Sequence, residues 1–453
     1  MLNRMPRTRE WAFLVAGATV VLAASSCASP TTFIRARQAE QRLQKVIKQI
    51  AASGAPVKAM QLAKPPVPDA ENAALVYQKA FAAMRFPPDD RQFATKLTRD
   101  RLSLADPAVV ARAGGILKQN AKALQLIHRA AVMPRCDFRL DWTKGAELQF
   151  PQFGHLRDCS LLLALEAIML AHRGQVDQAL AVCGDGFRVV KAADEPILIG
   201  AIVQYAIIAM SSRSAERVLR DSQPSVSACR GLAQCVASID PNGSLISALK
   251  GERGWAISIF DQIRASPDPV KAVSELPGGQ GQGERPSRLP HSNSFIRWWL
   301  ASDELTYLEL MDRGIKEAAL PYRKLVHIHP SLEETIDRLP RMPPRLITAL
   351  LLPVLSRAQS SRDRAIANLK LVQIALLLKA YRAEHGGYPS SLQQLGGIKG
   401  RPPPTDPFSG KPFVYSRDGA GFLVYSWGPN LKDDGGKPGK RSDDGDIVVR
   451  CVR

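Results

Sequence analysis

Five aspartates lie close together near the carboxyl end of the chain, within residues 428–447: Asp433, Asp434, Asp443, Asp444 and Asp446. Calcium is held by about six to eight oxygen ligands, and closely spaced carboxylates between turn-forming glycines can supply many of them. The same stretch carries four basic residues, which reduces its net charge to −1 (five negative and four positive side chains). The residues alone therefore fit either a calcium loop or a solvated turn whose aspartates pair with lysines.

Asp141, Trp142 and Glu147 place two carboxyl groups near an aromatic ring, the combination that glycan hydrolysis uses. A tryptophan packed under a loop explains the same residues without any chemistry. The sequence contains no HExxH, GxSxG or Walker-type phosphate-loop motif. We therefore predict a non-catalytic protein, and we keep as the alternative a cell-surface enzyme, such as a glycan hydrolase, with its site in the helical region.

The amino terminus has the pattern of an export signal. Arg4, Arg7 and Arg9 precede an uncharged apolar stretch, residues 11–24, which is shorter than the roughly 20 residues that a membrane-spanning helix needs. Small residues follow and end at Cys27, which resembles the lipidated cysteine of a bacterial lipobox. We predict lipidation at Cys27, with an uncut anchor helix and a cleaved, soluble protein as alternatives. All three place the rest of the chain outside the cytoplasm.

The chain is strongly basic, with a net charge of +19 from 61 Lys and Arg against 42 Asp and Glu. The basic residues are scattered, without the dense clusters or zinc-finger spacing of nucleic-acid-binding proteins. We therefore predict no nucleic-acid partner. The expected partners are membrane lipid, reached through the amino-terminal anchor, and an envelope protein that the sequence does not identify.

A length of 453 residues predicts two or three domains, and Ala- and Leu-rich runs with few aromatics favour a mainly α-helical, multi-domain protein. Residues 156–172 and 176–192 form the clearest helical pair, with Gly174 in the turn between them. This pair is similar to one tetratricopeptide-type unit, but no second copy follows at the repeat length of such units. A helical bundle or irregular solenoid is therefore expected. The predicted segments are 1–27 (signal or anchor), 28–68 (stalk helix and proline-rich linker), 69–265 (helical domain), 266–360 (glycine- and proline-rich loop with connecting helices) and 361–453 (α+β).

Residues 361–453, here called the carboxy-terminal module, change in character. Apolar residues repeat at helical spacing through residues 364–382, and the two glycines at 386–387 are typical of a helix end. Short strand-like runs follow at residues 412–415, 421–426 and 446–449, with a hairpin signal at 417–419. The pattern predicts one amphipathic helix against a small antiparallel sheet.

Several short motifs stand in order within this module: His385-Gly386-Gly387-Tyr388-Pro389, Asp406-Pro407-Phe408, Tyr425-Ser426-Trp427-Gly428-Pro429-Asn430 and Asp443-Asp444-Gly445-Asp446. Together they resemble the soluble head of the major pseudopilins of type II secretion systems. The hydrophobic polymerisation helix and processing site that precede such a head in the family are missing here. The resemblance therefore implies a head reused as a domain, in a protein that binds or scaffolds other envelope components.

In that family the acidic loop binds calcium. Carried over residue by residue, the resemblance implies ligands at Trp427 (through its backbone carbonyl), Asn430, Asp444 and Asp446. Calcium is accordingly the cofactor that the resemblance predicts, and the solvated turn remains the alternative.

Overall fold

The computed structural model shows a mainly helical protein with a small three-stranded antiparallel sheet near the carboxyl terminus, which confirms that part of the predicted fold class. Cys27 and the predicted signal lie outside the described residues. The structure describes residues 30–276, 292–340, 345–352, 355–395, 404–439 and 444–452.

Sixteen α-helices are found in the described chain. The first eight are α1 (Pro30–Ala52), α2 (Ala73–Ala83), α3 (Pro88–Thr98), α4 (Pro107–Gln119), α5 (Ala121–Ala131), α6 (Gln152–His172), α7 (Val176–Arg188) and α8 (Leu198–Arg220). The others are α9 (Val226–Ala237), α10 (Pro241–Ala265), α11 (Pro269–Ser274), α12 (Asn293–Ala318), α13 (Tyr322–Leu325), α14 (Leu332–Asp337), α15 (Leu346–Leu351) and α16 (Leu355–His385).

The predicted stalk helix, α1, lies along α12 instead of extending away from the body. Its Glu40 carboxylate accepts hydrogen bonds of 2.7 and 2.6 Å from Nε and Nη2 of Arg297. The proline-rich segment that follows is also packed down, because Leu62 is buried and the Ala59 amide donates to Ser258 Oγ on α10 at 2.8 Å. Apolar residues such as Leu62 stand between the prolines of this segment and pack against the body. The proline-rich composition alone did not predict this packing.

The helical pair predicted around Gly174 is confirmed. α6 and α7 pack against each other, and Gly174 adopts a φ of 80° in the turn, a conformation that glycine reaches without steric cost. α7 ends at Arg188, and a 3₁₀ turn, Val189–Ala193, leads on to α8. This turn explains why the apolar pattern continues beyond the end of the helix.

α8 is the central helix of the body, packed against α6, α7, α10 and α16. Of the helices in the described chain, it is the one long and apolar enough to cross a membrane. Its apolar window is, however, 67% buried inside the protein. Packing within the body therefore accounts for its hydropathy.

The carboxy-terminal module is built around α16 and three strands. β1 (Val414–Asp418), β2 (Gly421–Ser426) and β3 (Ile447–Cys451) pair in the order β1-β2-β3, with Asp418 opposite Gly421 at the hairpin. The predicted strands are thus present, each shifted by no more than three residues at its ends.

α16 is much longer than the predicted helix and packs against α8 and α9 as well as against the sheet. Lys379 on α16 is fully buried and donates from Nζ to the Ser222 carbonyl at 2.8 Å. From β3, the buried Cys451 thiol donates to the Leu219 carbonyl at 3.4 Å. These contacts tie the carboxy-terminal module directly to the end of α8.

The six cysteines in the described chain are free thiols, and four of them are buried. Burial raises the pKa of Cys183 to about 12 and that of Cys451 to about 11. A thiol with so high a pKa carries almost no thiolate at neutral pH and is a poor nucleophile. Packing explains these residues without redox chemistry.

One charged cluster joins three helices of the body. His128 on α5 lies between Asp185 on α7, at 2.7 Å from its Nδ1, and Glu166 on α6, at 2.9 Å from its Nε2. Arg188 also contacts the Asp185 carboxylate at 2.7 Å. The hydrogen bonds to Asp185 and Glu166 raise the pKa of His128 from 6.5 to about 9, so the ring is charged at neutral pH.

We expect this ion cluster to make stability depend on pH. Because folding raises the pKa of His128, its contribution is fully present below pH 6.5 and is lost as the pH rises through about 9. His128→Gln should lower the free energy of unfolding by about 2 kcal/mol at pH 7, allowing for partial exposure to solvent. The difference between variant and wild type should shrink above pH 9, as measured by urea unfolding at several pH values.

The control is His172→Gln, because His172 is exposed at the end of α6. It should leave the pH profile of stability unchanged. A difference between His128→Gln and wild type that stays constant from pH 6 to pH 10 would show that the ring acts through packing and not through its charge.

Candidate functional site

Two of the four predicted calcium ligands, Asn430 and Asp446, meet through Asp434. The Asn430 side-chain amide donates to Asp434 Oδ2 at 2.7 Å. The Asp446 carboxylate, only 4% exposed, accepts from the Gly436 amide at 2.7 Å and from the Asp434 amide at 3.3 Å. Burial raises the pKa of Asp446, and these amides oppose that shift. Hydrogen bonds within the loop thus occupy the oxygens of Asp446.

Trp427 is positioned by a different carboxylate, that of the buried Asp406. Asp406 Oδ2 accepts from the amides of Trp427, at 3.3 Å, and Ser409, at 3.0 Å. Its Oδ1 accepts from Ser426 Oγ at 2.6 Å and from the Phe408 amide at 3.2 Å. One side chain therefore joins the Asp-Pro-Phe turn to the end of β2, which accounts for the occurrence of both motifs in one module.

The described loop does not bring three carboxylates to one point. Among the described residues, no group of three or more His, Cys, Asp or Glu could hold a metal ion. The loop offers hard oxygen ligands of the kind that calcium prefers. The side-chain oxygens of Asp446 and Asn430, however, already accept hydrogen bonds from backbone amides. Calcium binding therefore stays a prediction of the resemblance.

Asp444 and Asp446 instead line a cleft with a volume of about 630 Å³ between the helical body and the carboxy-terminal module. Its described walls are the end of α3, α8, α16, β3 and the loop residues 436, 438–439 and 444–446. We call it the arginine cleft, because six arginines are among the described residues that line it: Arg99, Arg213, Arg217, Arg220, Arg364 and Arg450.

Three of these arginines lie on one face of α8. Arg213, Arg217 and Arg220 are four and three residues apart, which places them along about 10 Å of helix. Arg217 and Arg220 have structural partners, since both pair with Asp100, at 3.2 Å in the case of Arg217. Arg217 also donates to the carbonyls of Leu97 and Leu102. These two arginines therefore fix the turn after α3.

Arg213 lacks such a partner. Within the described part of the chain no carboxylate forms an ion pair with its guanidinium. Burial lowers the pKa of Arg213, and the guanidinium groups of Arg99 and Arg364 lower it further. The acid that acts on Arg213 is Glu216, and burial raises the pKa of Glu216 to about 7, so it is only partly ionised at neutral pH. Positive charge at this point of the cleft is therefore in excess.

A buried hydroxyl stands beside this excess charge. Ser212 is 5% exposed, lines the cleft, and its Oγ has no hydrogen-bond partner among the described residues. Leaving such a group unpaired costs about 1–3 kcal/mol. An oxyanion in the cleft could accept from the hydroxyl and from the guanidinium groups together.

The residues considered for glycan hydrolysis have structural contacts. Asp141 caps the short 3₁₀ helix Trp142–Glu147 by accepting from the Thr143 amide at 3.1 Å, and the hydrogen bonds from Thr143 lower the pKa of Asp141. The Trp142 ring is buried, with its centroid 6.2 Å from that of Phe150, so it offers no exposed platform for a sugar. These contacts give no support to the enzyme alternative.

The chain matches no protein-family model, no curated protein and no solved structure. The likeness to pseudopilin heads therefore depends on the motifs of the carboxy-terminal module. The arginine cleft was not predicted from the sequence. The spacing of Arg213, Arg217 and Arg220 within an apolar helix was a visible signal, whereas the approach of Arg99 and Arg364 depends on the tertiary fold.

The calcium assignment can be tested by thermal melting. If the loop binds calcium, that ion should raise the melting temperature more than magnesium does, with a dissociation constant on the order of 10⁻⁴ to 10⁻³ M, because the loop carries little net negative charge. Asp444→Asn should remove the effect. Asp418→Asn, at an exposed position of β1, should retain it. Equal melting temperatures in calcium and in a chelator would show that the loop does not bind calcium.

Proposed function

We propose that this protein is an exported, non-catalytic binding component of the cell envelope, which holds an anionic ligand in the arginine cleft. The observation that carries the proposal is the convergence of Arg99, Arg213 and Arg364 from three elements that line the cleft, close enough for the first and third to lower the pKa of the second. Holding like charges together in a partly desolvated place costs free energy. An anion would recover that free energy on binding.

The chemistry of arginine fits this role. Each guanidinium presents paired N–H donors that match the oxygens of carboxylates and phosphates, and arginine stays charged even when it is partly buried. Among the described residues, six guanidinium groups and four carboxyl groups line the cleft. Of those four, Asp100 is paired with Arg217 and Arg220, and Asp446 accepts two amides.

A binding role is favoured over catalysis. In the described lining of the cleft, no nucleophile is hydrogen-bonded to a base: the Thr98 hydroxyl donates to the Thr95 carbonyl at 3.1 Å, and the Ser212 hydroxyl has no partner there. The guanidinium groups of this lining can orient an anion by hydrogen bonds.

Sequence patterns support the proposed envelope location and multi-domain organisation. The signal-like amino terminus, with Cys27 as the lipidation position, supports export and anchoring in the membrane. The ordered motifs of the carboxy-terminal module support its relation to pseudopilin heads and a scaffolding contact with another envelope protein.

Thermal melting with inorganic phosphate tests the binding function. Phosphate should stabilise the wild type by about 2.7 kcal/mol at a concentration 100 times its dissociation constant. Arg213→Gln should abolish this gain. In phosphate-free buffer the variant should be as stable as the wild type or more stable, because one of the mutually repelling charges is gone.

The matched control is Arg173→Gln, since Arg173 is exposed in the turn between α6 and α7. It should respond to phosphate as the wild type does, and sodium chloride at equal ionic strength separates specific binding from screening. Equal stabilisation of Arg213→Gln and wild type by phosphate would rule out the arginine cleft as the binding site.

The anchor is tested by metabolic labelling with a radioactive fatty acid. The wild type should incorporate the label and remain with the membrane fraction, whereas Cys27→Ser should lose the label. Cys136→Ser, which changes a partly buried thiol of the body, should retain it. Unchanged labelling of Cys27→Ser would leave the uncut anchor and the soluble protein as the remaining alternatives.

A further inference from the structure

A second cavity, of about 450 Å³, adjoins the arginine cleft. Thr98, Arg99 and Arg213 line both cavities, so the two lie side by side at the end of α3. We call the second cavity the side pocket. Beyond the shared residues, its charged lining consists of Arg91, His155, Arg157 and Asp158.

The side pocket repeats the charge excess of the arginine cleft. Arg91 pairs with Asp158 at 2.9 Å, and Asp158 is the one carboxylate among the described residues that line this pocket. Arg157 is exposed and forms no ion pair within the described chain. Arg99, Arg157 and Arg213 thus remain uncompensated along a path that leads from one cavity to the other.

One wall of the side pocket follows α3. Arg91, Thr95 and Thr98 recur on one face of α3, and Arg99 follows its last residue, so this wall extends for about 12 Å. The arginine row of α8 continues for about 10 Å from Arg213. A single small anion at Arg99 and Arg213 would leave the charge of Arg157 uncompensated.

From this geometry we infer that the ligand is a chain carrying at least two phosphate groups, one held at Arg99 and Arg213 and a second in the side pocket at Arg157. The inference rests on the anion-binding function proposed above and specifies its ligand. Phosphate is favoured over carboxylate because the guanidinium groups around Arg213, together with Ser212 Oγ, offer more donors than the two oxygens of a carboxylate can use. A phosphate presents three oxygens and close to two negative charges.

Isothermal titration calorimetry with orthophosphate and with tripolyphosphate tests the single-anion site and the ligand with two phosphate groups separately. Tripolyphosphate should bind the wild type at least tenfold more tightly than orthophosphate. Arg157→Gln should remove this advantage and leave orthophosphate affinity unchanged, since Arg157 is exposed and lies outside the arginine cleft. Arg213→Gln should weaken both ligands, and Arg173→Gln should weaken neither.

Equal affinity of the wild type for the two ligands, or an advantage of tripolyphosphate that survives in Arg157→Gln, would overturn the inference while the single-anion site at Arg213 stands. No binding of either ligand would overturn both. Competition by vesicles of an anionic phospholipid distinguishes the source of the phosphate groups. Displacement of tripolyphosphate by the vesicles assigns them to lipid headgroups, and its absence assigns them to a soluble chain.

Discussion

The burial of α8 between the helical pair α6 and α7 on one side and α16 on the other is the contact on which the rest of the structure depends. Its apolar side chains cannot be exposed without losing roughly 1.5–3 kcal/mol each, so the rotation of the helix about its axis is fixed. Fixing that rotation also fixes the direction of Arg213, Arg217 and Arg220. The cleft is therefore a consequence of core packing, and the carboxy-terminal module closes it because α16 is part of the same core.

The positive charge in the cleft has an energetic cost that the fold must offset elsewhere. Part of it is removed locally, since Asp100 takes up the charges of Arg217 and Arg220 and thereby holds the end of α3 against α8. The remainder, at Arg99 and Arg213, is tolerated because the surrounding core is extensive. A binding site that is strained when empty and relieved when filled gains affinity from that difference, which is a common reason for proteins to retain unfavourable local arrangements.

The sequence predicted those parts of the fold that depend on local spacing. The helical pair around Gly174, the helix that became α16 and the three short strands follow from periodicity and turn residues within a few positions of one another. The docking of residues 55–68 on α10 and the position of α1 along α12 were not predicted, because both depend on partners about 200 residues or more away in the chain. The same distinction applies to the site. The spacing of the α8 arginines was visible in the sequence, whereas the approach of Arg99 and Arg364 depends on the tertiary fold.

The acidic loop, which carries the predicted calcium ligands, also forms part of the wall of the cleft. Asp444 and Asp446 line the same cavity as the arginines, so an anion that enters experiences attraction from one wall and repulsion from the other. Both effects grow with the charge of the anion, so charge alone does not select between ligands at this site. A ligand with several acceptor oxygens would engage several guanidinium groups at once, and these directional hydrogen bonds would offset the repulsion. Selectivity in such a cleft therefore depends on the number and direction of the acceptors that a ligand presents.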